Sequence, residues 1–281
     1  MDSAFHASLI IVAPDLLLAV SAMALILFGA FAGEKASSAI GVMSVIALGA
    51  AIFLLIGPGA GRGEAFGGSY VADEFAVFCK AAIYGAAALS LLMAQAFLKA
   101  EKIHRFEYYG LALLSVVGMG VMVSARDLVV LYMGLETQSL ALYVLAAFKR
   151  DDGKASEAGL KYFMLGAVSS GLLLFGASLV YGFVGSTRFT EIAAFASKGD
   201  IGILFGLVLV ICGVAFKCSA APFHMWTPDV YEGAPTSTTA FFAAAPKFAA
   251  IAVFARLLFE PFATLTEDWR QIIVLISVLS M

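Results

Sequence analysis

Apolar positions run in long unbroken blocks along this chain, and polar positions collect in short clusters between them. The first block, Leu9 to Ala32, is long enough to cross a bilayer as one helix, since about 20 residues at 1.5 Å each span the hydrocarbon. A second follows from Ala39 to Ile56, after the short loop Gly33 to Ser38. Gly57 to Gly68 is glycine-rich and polar and reads as a flexible surface loop. Further spans are expected at Val71–Leu98, Tyr109–Ser124, Leu128–Phe148 and from Glu157 and Lys161 to about Val184. Gly185 to Asp200 is a link with room for a short surface helix over Thr190–Ala196. The seventh span, Ile201–Trp226, contains Pro222 and should be discontinuous, because proline has no N–H to pair with the carbonyl of Cys218. Thr227–Pro235 is expected as an irregular connector, Thr236–Leu258 as the eighth span, and Trp269–Met281 as the start of a ninth helix. The apolar run from Ile272 is too short to cross ~30 Å of hydrocarbon. A fragment of a longer chain is therefore expected.

Composition agrees with the pattern. Of 281 residues, 62% are hydrophobic and 13% charged, which leaves too little polar surface to cover a soluble domain of this size. The apolar runs are continuous rather than alternating, which excludes a transmembrane barrel. The fold class is all-α: a polytopic transmembrane helical bundle with a discontinuous seventh helix. A net charge of −3 gives no reason to expect nucleic acid. Cys79, Cys212 and Cys218 all lie in apolar segments without a C-x-x-C pair and read as small buried hydrophobes. Gly59-Ala-Gly-Arg-Gly63 follows no strand and lacks the G-K-[ST] ending of a phosphate loop. Eight basic residues fall in the loops after the odd-numbered spans and six on the other side. This modest bias puts the N-terminus outside.

Charges inside the spans carry the chemistry. Glu136, Lys217 and Lys247 each lie deep in a helix, about eight residues or roughly 12 Å from its ends. A buried lysine costs about 2.5–3.5 kcal/mol on insertion scales and by default marks a functional site. Glu136 could form a structural ion pair with one lysine, but two lysines and one carboxylate leave a surplus cation unless one lysine is neutral. Groups that exchange protons in this way suit a proton relay. The half-helix before Pro222 also turns its negative end toward Lys217. His224 either extends a water path to the cytoplasmic side or bonds to backbone at the interface. Thr137, Gln138, Ser139, Ser219 and Thr238 either hold waters or bridge helices. Asp15 is expected at the membrane interface. Lys80, two turns from Asp73, either snorkels to the surface or faces a neighbouring helix.

Phe216-Lys217 and Pro222-Phe-His-Met-Trp-Thr-Pro-Asp-Val-Tyr-Glu-Gly-Ala-Pro235 resemble the subunit N family of proton-pumping NADH–quinone oxidoreductase, respiratory complex I. The resemblance covers the whole chain and is strongest from Glu136 to Arg256. It implies the first of two antiporter-like inverted repeats. Residues 1–105 would be three preceding helices, 106–260 the five-helix repeat, and 261–281 the start of the next helix, with the second repeat lying beyond Met281. It further implies a relay of Glu136, Lys217 and Lys247 along the midplane, driven by electron transfer elsewhere. No Cys ligand set, paired-histidine pattern or nucleotide fingerprint is present. Cofactors are therefore expected in partner subunits (NADH, FMN, Fe–S clusters and quinone), with none in this chain. Implied partners are other membrane-arm subunits and the bilayer. No small-molecule substrate other than protons is expected, and the implied location is a bacterial inner membrane. A subunit of a multi-component cation/proton antiporter, an inert membrane scaffold and a solute permease are the alternatives.

Overall fold

A computed structural model describes residues 2–57, 60–196 and 200–281, without the side chains of residues 2–4. Pro58 and Gly59 of the glycine-rich stretch lie outside the described residues, as does Lys198, one of the six basic residues assigned to the outer side. The helices are α1 (Asp2–Ala32), α2 (Ser37–Ile56), α3 (Glu74–Ala100), α4 (Glu107–Val123), α5 (Leu128–Ala146) and α6 (Gly153–Val184). They continue with α7 (Phe189–Ala196), α8 (Ile201–Cys218), α9 (Thr227–Gly233), α10 (Thr236–Phe259) and α11 (Thr266–Ser280). Among the described residues, seven helices are long and apolar enough to cross a membrane, and α4 is a shorter apolar helix of 17 residues.

Aspartates start four of these helices. Asp73, Asp127, Asp152 and Asp200 each accept a hydrogen bond from an N–H of the first turn, at 2.7–2.9 Å. Each thereby satisfies an amide that has no partner within its own helix. At the other end of α6, Gly185 adopts the left-handed conformation (φ 79°) and closes the helix.

Helices α4, α5, α6, α8 and α10 close into a ring. Helix α4 packs on α5, α5 on α6, α6 on α8, α8 on α10, and α10 back on α4. Helices α1–α3 flank the ring through α4 and α10. Two seams rest on glycine. A Cβ on Gly118 of α4 would lie 2.6 Å from the Gly134 carbonyl of α5, and one on Gly176 of α6 would lie 2.6 Å from the Gly206 carbonyl of α8. In lipid, where apolar burial drives little association, such backbone approach is what holds helices together.

The structure changes several expectations. The glycine-rich stretch is not simply a loop: Gly63–Ala65 (β1) and Tyr70–Ala72 (β2) form an antiparallel hairpin, so Val71 belongs to a strand and not to the third span. The hairpin is stitched to the α4–α5 turn by Val71 N–H to Ser124 (2.8 Å) and Arg126 N–H to Ser69 (2.9 Å). Thr227–Gly233 is helical rather than irregular, because Pro228 sits in the first turn, where its missing N–H costs nothing. Lys80 does not snorkel but faces a neighbouring helix, and Asp15 is buried against it; each is 2% exposed. Lys80 donates to Asp15 at 2.5 Å, Tyr84 donates to the other carboxylate oxygen at 2.6 Å, and Tyr70 joins both. The cluster ties α1, β2 and α3 together.

Candidate functional site

Helix α8 stops at Cys218, four residues before Pro222, where the lost N–H predicts. Ser219 turns left-handed (φ 58°), and its N–H bonds to the Phe216 carbonyl at 3.0 Å. The Trp226 indole N–H reaches the same carbonyl at 3.1 Å, and its ring stacks on Tyr162 of α6 at 4.4 Å. The break is thus capped by protein, as backbone leaving a helix at membrane depth must be. Lys217 lies in the last turn of α8, at the negative end of the helix and not eight residues inside it.

Lys217 is buried, and its ammonium donates to Ser139 at 2.7 Å and to Tyr143 at 3.3 Å, both on α5. Glu136, Ser139 and Tyr143 are spaced three and four residues apart and so share one face of α5. Among the described ion pairs none joins Glu136 to Lys217; the lysine meets α5 through hydroxyls, with Glu136 within electrostatic reach of Lys217 and Tyr143. One carboxylate oxygen of Glu136 is buried without a hydrogen-bond partner. On its other side Lys217 faces a void of about 10 Å³, one water in size, lined by Gln138, Met122 and residues of α10. The Gln138 carbonyl oxygen is buried and unpartnered.

Lys247 and His224 meet at a second site. Together with Ser219, Tyr231, Thr227 and Ser280 they line a cavity of about 310 Å³ beside the break. Lys247 follows Pro246 inside α10 and lies 5.2 Å from the Tyr231 ring centre. His224 is exposed, and its own carbonyl accepts from Thr227 N–H at 2.9 Å. The two sites are joined along the chain by the end of α8: Lys217 faces one, and Ser219, two residues on, lines the other.

Of the other polar candidates, Ser139 holds Lys217, Gln138 lines the small void, Ser219 lines the larger cavity, and Thr137 is spent on the Met133 carbonyl at 2.8 Å. Tyr143 was not singled out from sequence, although its position seven residues after Glu136 was the available signal. The network at the opposite end of α10 was also missed. Arg256, 3% exposed, donates to Asp73 at 2.7 Å and to Glu260 at 2.6 Å, and Arg126 bridges Glu260 (3.1 Å) to Glu64 (2.9 Å).

The family model described as NADH:quinone oxidoreductase/Mrp antiporter, TM matches residues 125–281, more than half of the chain. The chain belongs to this family. The subunit N of NADH-quinone oxidoreductase from Maricaulis maris (strain MCS10) is 57% identical over 275 residues, covering 95% of this chain and 56% of that protein. This family member thus spans about half the length of the curated relatives it matches. A chain of respiratory complex I from Thermus thermophilus superposes with a TM-score of 0.74 at 32% identity, covering 89% of this chain and 54% of the other. A chain of the Mrp complex from Dietzia sp. DQ12-45-1b superposes with a TM-score of 0.71 at 22% identity, covering 89% and 49%; that likeness is one of fold alone.

Proposed function

We propose that this family member is the proton-translocating membrane-arm subunit N of an NADH:quinone oxidoreductase. In this reading protons move through Glu136, Lys217 and Lys247, with His224 at the outer edge of the Lys247 cavity. The observation that carries the reading is Lys217 itself: a buried amine at the end of a broken helix, hydrogen-bonded to the face of α5 that carries Glu136. The contact runs through hydroxyls, which both accept and donate, so the proton on Lys217 can leave without separating a locked ion pair. When Glu136 is ionised and near, it favours the charged amine; when it moves away or is neutralised, it favours release. The Lys247 cavity supplies polar room of the kind such a transfer needs.

Electron transfer belongs, in this reading, to other subunits, which carry NADH, FMN, Fe–S clusters and quinone. The partners are those membrane-arm subunits and the bilayer. The location is a bacterial inner membrane, with the N-terminus outside. Residues 106–260 form the first antiporter-like repeat, supported by the closed ring of α4, α5, α6, α8 and α10; residues 1–105 flank it, and 261–281 begin the next helix. The multi-component antiporter alternative is supported by the same ring but by lower identity, 22% against 57%. Glu136→Gln keeps the shape of the side chain and removes its charge. In membrane vesicles holding the assembled enzyme, this variant should oxidise NADH but acidify the vesicle interior far less per NADH than the unaltered enzyme. Equal acidification would sink the relay.

A further inference from the structure

The run Thr227–Pro235 carries the family resemblance, yet the relay gives most of its side chains no task. Its first seven residues fold as α9, and the two faces of that helix meet different neighbours. Glu232 and Gly233 follow Asp229 by three and four residues, so all three share one face. That face is seated on α6. Asp229 accepts from Lys161 at 2.5 Å, Glu232 accepts from Lys154 at 3.1 Å, and Lys161 also pairs with Glu157 at 2.7 Å. The fit is close: a Cβ on Gly233 would lie 2.6 Å from the Lys154 carbonyl oxygen and 2.7 Å from the Ala158 Cβ. Just before α9, the Trp226 ring stacks on Tyr162 of the same helix α6.

Thr227, Pro228 and Tyr231 form the opposite face of α9 and line the Lys247 cavity. The Tyr231 ring centre lies 5.2 Å from the Lys247 amine. The Tyr231 hydroxyl is buried without a hydrogen-bond partner among the described residues, so the ring face, not the hydroxyl, is what meets the amine. An aromatic face attracts an ammonium, and the place of this ring therefore sets where in the cavity the charged amine rests. The place of the ring follows in turn from the seat of α9 on α6. A helix of about two turns carries its faces as one body. A rotation that takes Asp229 and Glu232 off their lysines takes Tyr231 off the amine.

We propose that Asp229 and Glu232, held by Lys161 and Lys154, are positioning residues for Lys247 and act through the Tyr231 ring. Exposed ion pairs add little stability one at a time. What these pairs fix is the rotation of α9. Lys154 and Lys161 are seven residues apart, two turns along one stripe of α6, and the two acids meet them in the opposite order. Two such pairs are satisfied together in one orientation of α9, the one that turns Tyr231 toward Lys247. The proposal rests on the relay reading of Lys247, and the test separates the two.

The test reads protons moved per NADH oxidised by the assembled enzyme in membrane vesicles, with assembly checked by the amount of intact enzyme recovered. Asp229→Lys sets a third cation against Lys154 and Lys161 and should lower the ratio by about twofold or more. Adding Lys161→Asp restores an attractive pair in the reverse sense and should recover most of the loss. Tyr231→Leu should lower the ratio to a similar extent, whereas Tyr231→Phe keeps the aromatic face and should leave it unchanged. Asp229→Lys placed in the Tyr231→Leu background should add less than about 1.5-fold, because the ring it acts through is gone. A role confined to holding the fold would add its full loss there. An unchanged ratio in Asp229→Lys, no recovery with Lys161→Asp, equal ratios in the two Tyr231 variants, or full additivity with Tyr231→Leu overturns the proposal. If Asp229→Lys does not assemble, Glu232→Lys with and without Lys154→Glu takes its place under the same expectations. Lys247→Ala separates the two readings. A defect there beside normal ratios in Asp229→Lys and Tyr231→Leu removes the proposal and leaves the relay standing, while normal pumping by Lys247→Ala removes Lys247 from the relay and the proposal with it.

Discussion

Replacing Asp15 by Asn tests how far the N-terminal helices depend on one buried charge. Asp15 accepts from Lys80 at 2.5 Å and from Tyr84 at 2.6 Å, with Tyr70 as a third donor, and it sits against Gly120 of α4. The substitution keeps the shape and leaves Lys80, 2% exposed, without its carboxylate. Breaking a buried pair from one side costs about 3–5 kcal/mol, because the remaining charge is uncompensated. At 1.4 kcal/mol per factor of ten, local opening of α1–α3 should rise by roughly two to three and a half orders of magnitude. Cys79, next to Lys80 and 2% exposed, is a built-in reporter. With Cys212 and Cys218 replaced by Ser, the rate at which a thiol reagent modifies Cys79 in detergent should rise by about that factor. Lys80→Met should raise it less, because Tyr70 and Tyr84 still donate to the carboxylate. A rise below about tenfold in Asp15→Asn, equivalent to less than ~1.4 kcal/mol, would refute the reasoning.

Two further outcomes follow from other contacts. A Cβ on Gly134 would lie 2.6 Å from the Met122 amide of α4, so Gly134→Val should force α4 off α5 and cost about 1–3 kcal/mol, read as a lower midpoint of thermal unfolding in detergent. Burial pushes the Asp73 carboxyl up, but the hydrogen bonds from Arg256 and the Ala76 amide and the charges of Arg256 and Arg126 outweigh it, and the group titrates below its ordinary value. The folded-state value is therefore depressed. The stabilisation from this clamp is complete above the unfolded value of about 3.9 and is lost as pH falls through the lower folded value. Thermal midpoints of the unaltered chain and Asp73→Asn, compared between pH 7 and pH 3, should differ by a constant amount down to about pH 4 and converge below it.

How much was legible follows from which signals are local. The spans could be read because a transmembrane helix must satisfy its backbone internally and present apolar side chains for its whole length. The break in the seventh span could be read because proline's missing N–H is a property of one residue. Lys217 stood out because a charge in such a run needs a reason. Partnership, by contrast, is a property of the fold. Asp15 and Lys80 are 65 positions apart, so nothing near either residue says they will meet, and each taken alone reads as an interfacial group. Arg256 and Asp73, 183 positions apart, were obscured in the same way. Tyr143 looked like one aromatic among many until α8 ended against it. The β-hairpin escaped because its strands are three residues each and draw their order from the Ser124 and Ser69 backbone contacts, not from an alternating pattern of their own.

The central claim is that the proton on Lys217 is part of the transported flux. The most direct measurement is the number of protons moved per NADH oxidised in vesicles carrying Lys217→Ala, with assembly checked by the amount of intact enzyme recovered. The account predicts normal assembly and a clear fall in that ratio, because the alanine leaves Ser139 and Tyr143 with no amine to exchange with. An unaltered ratio in a fully assembled enzyme would contradict it.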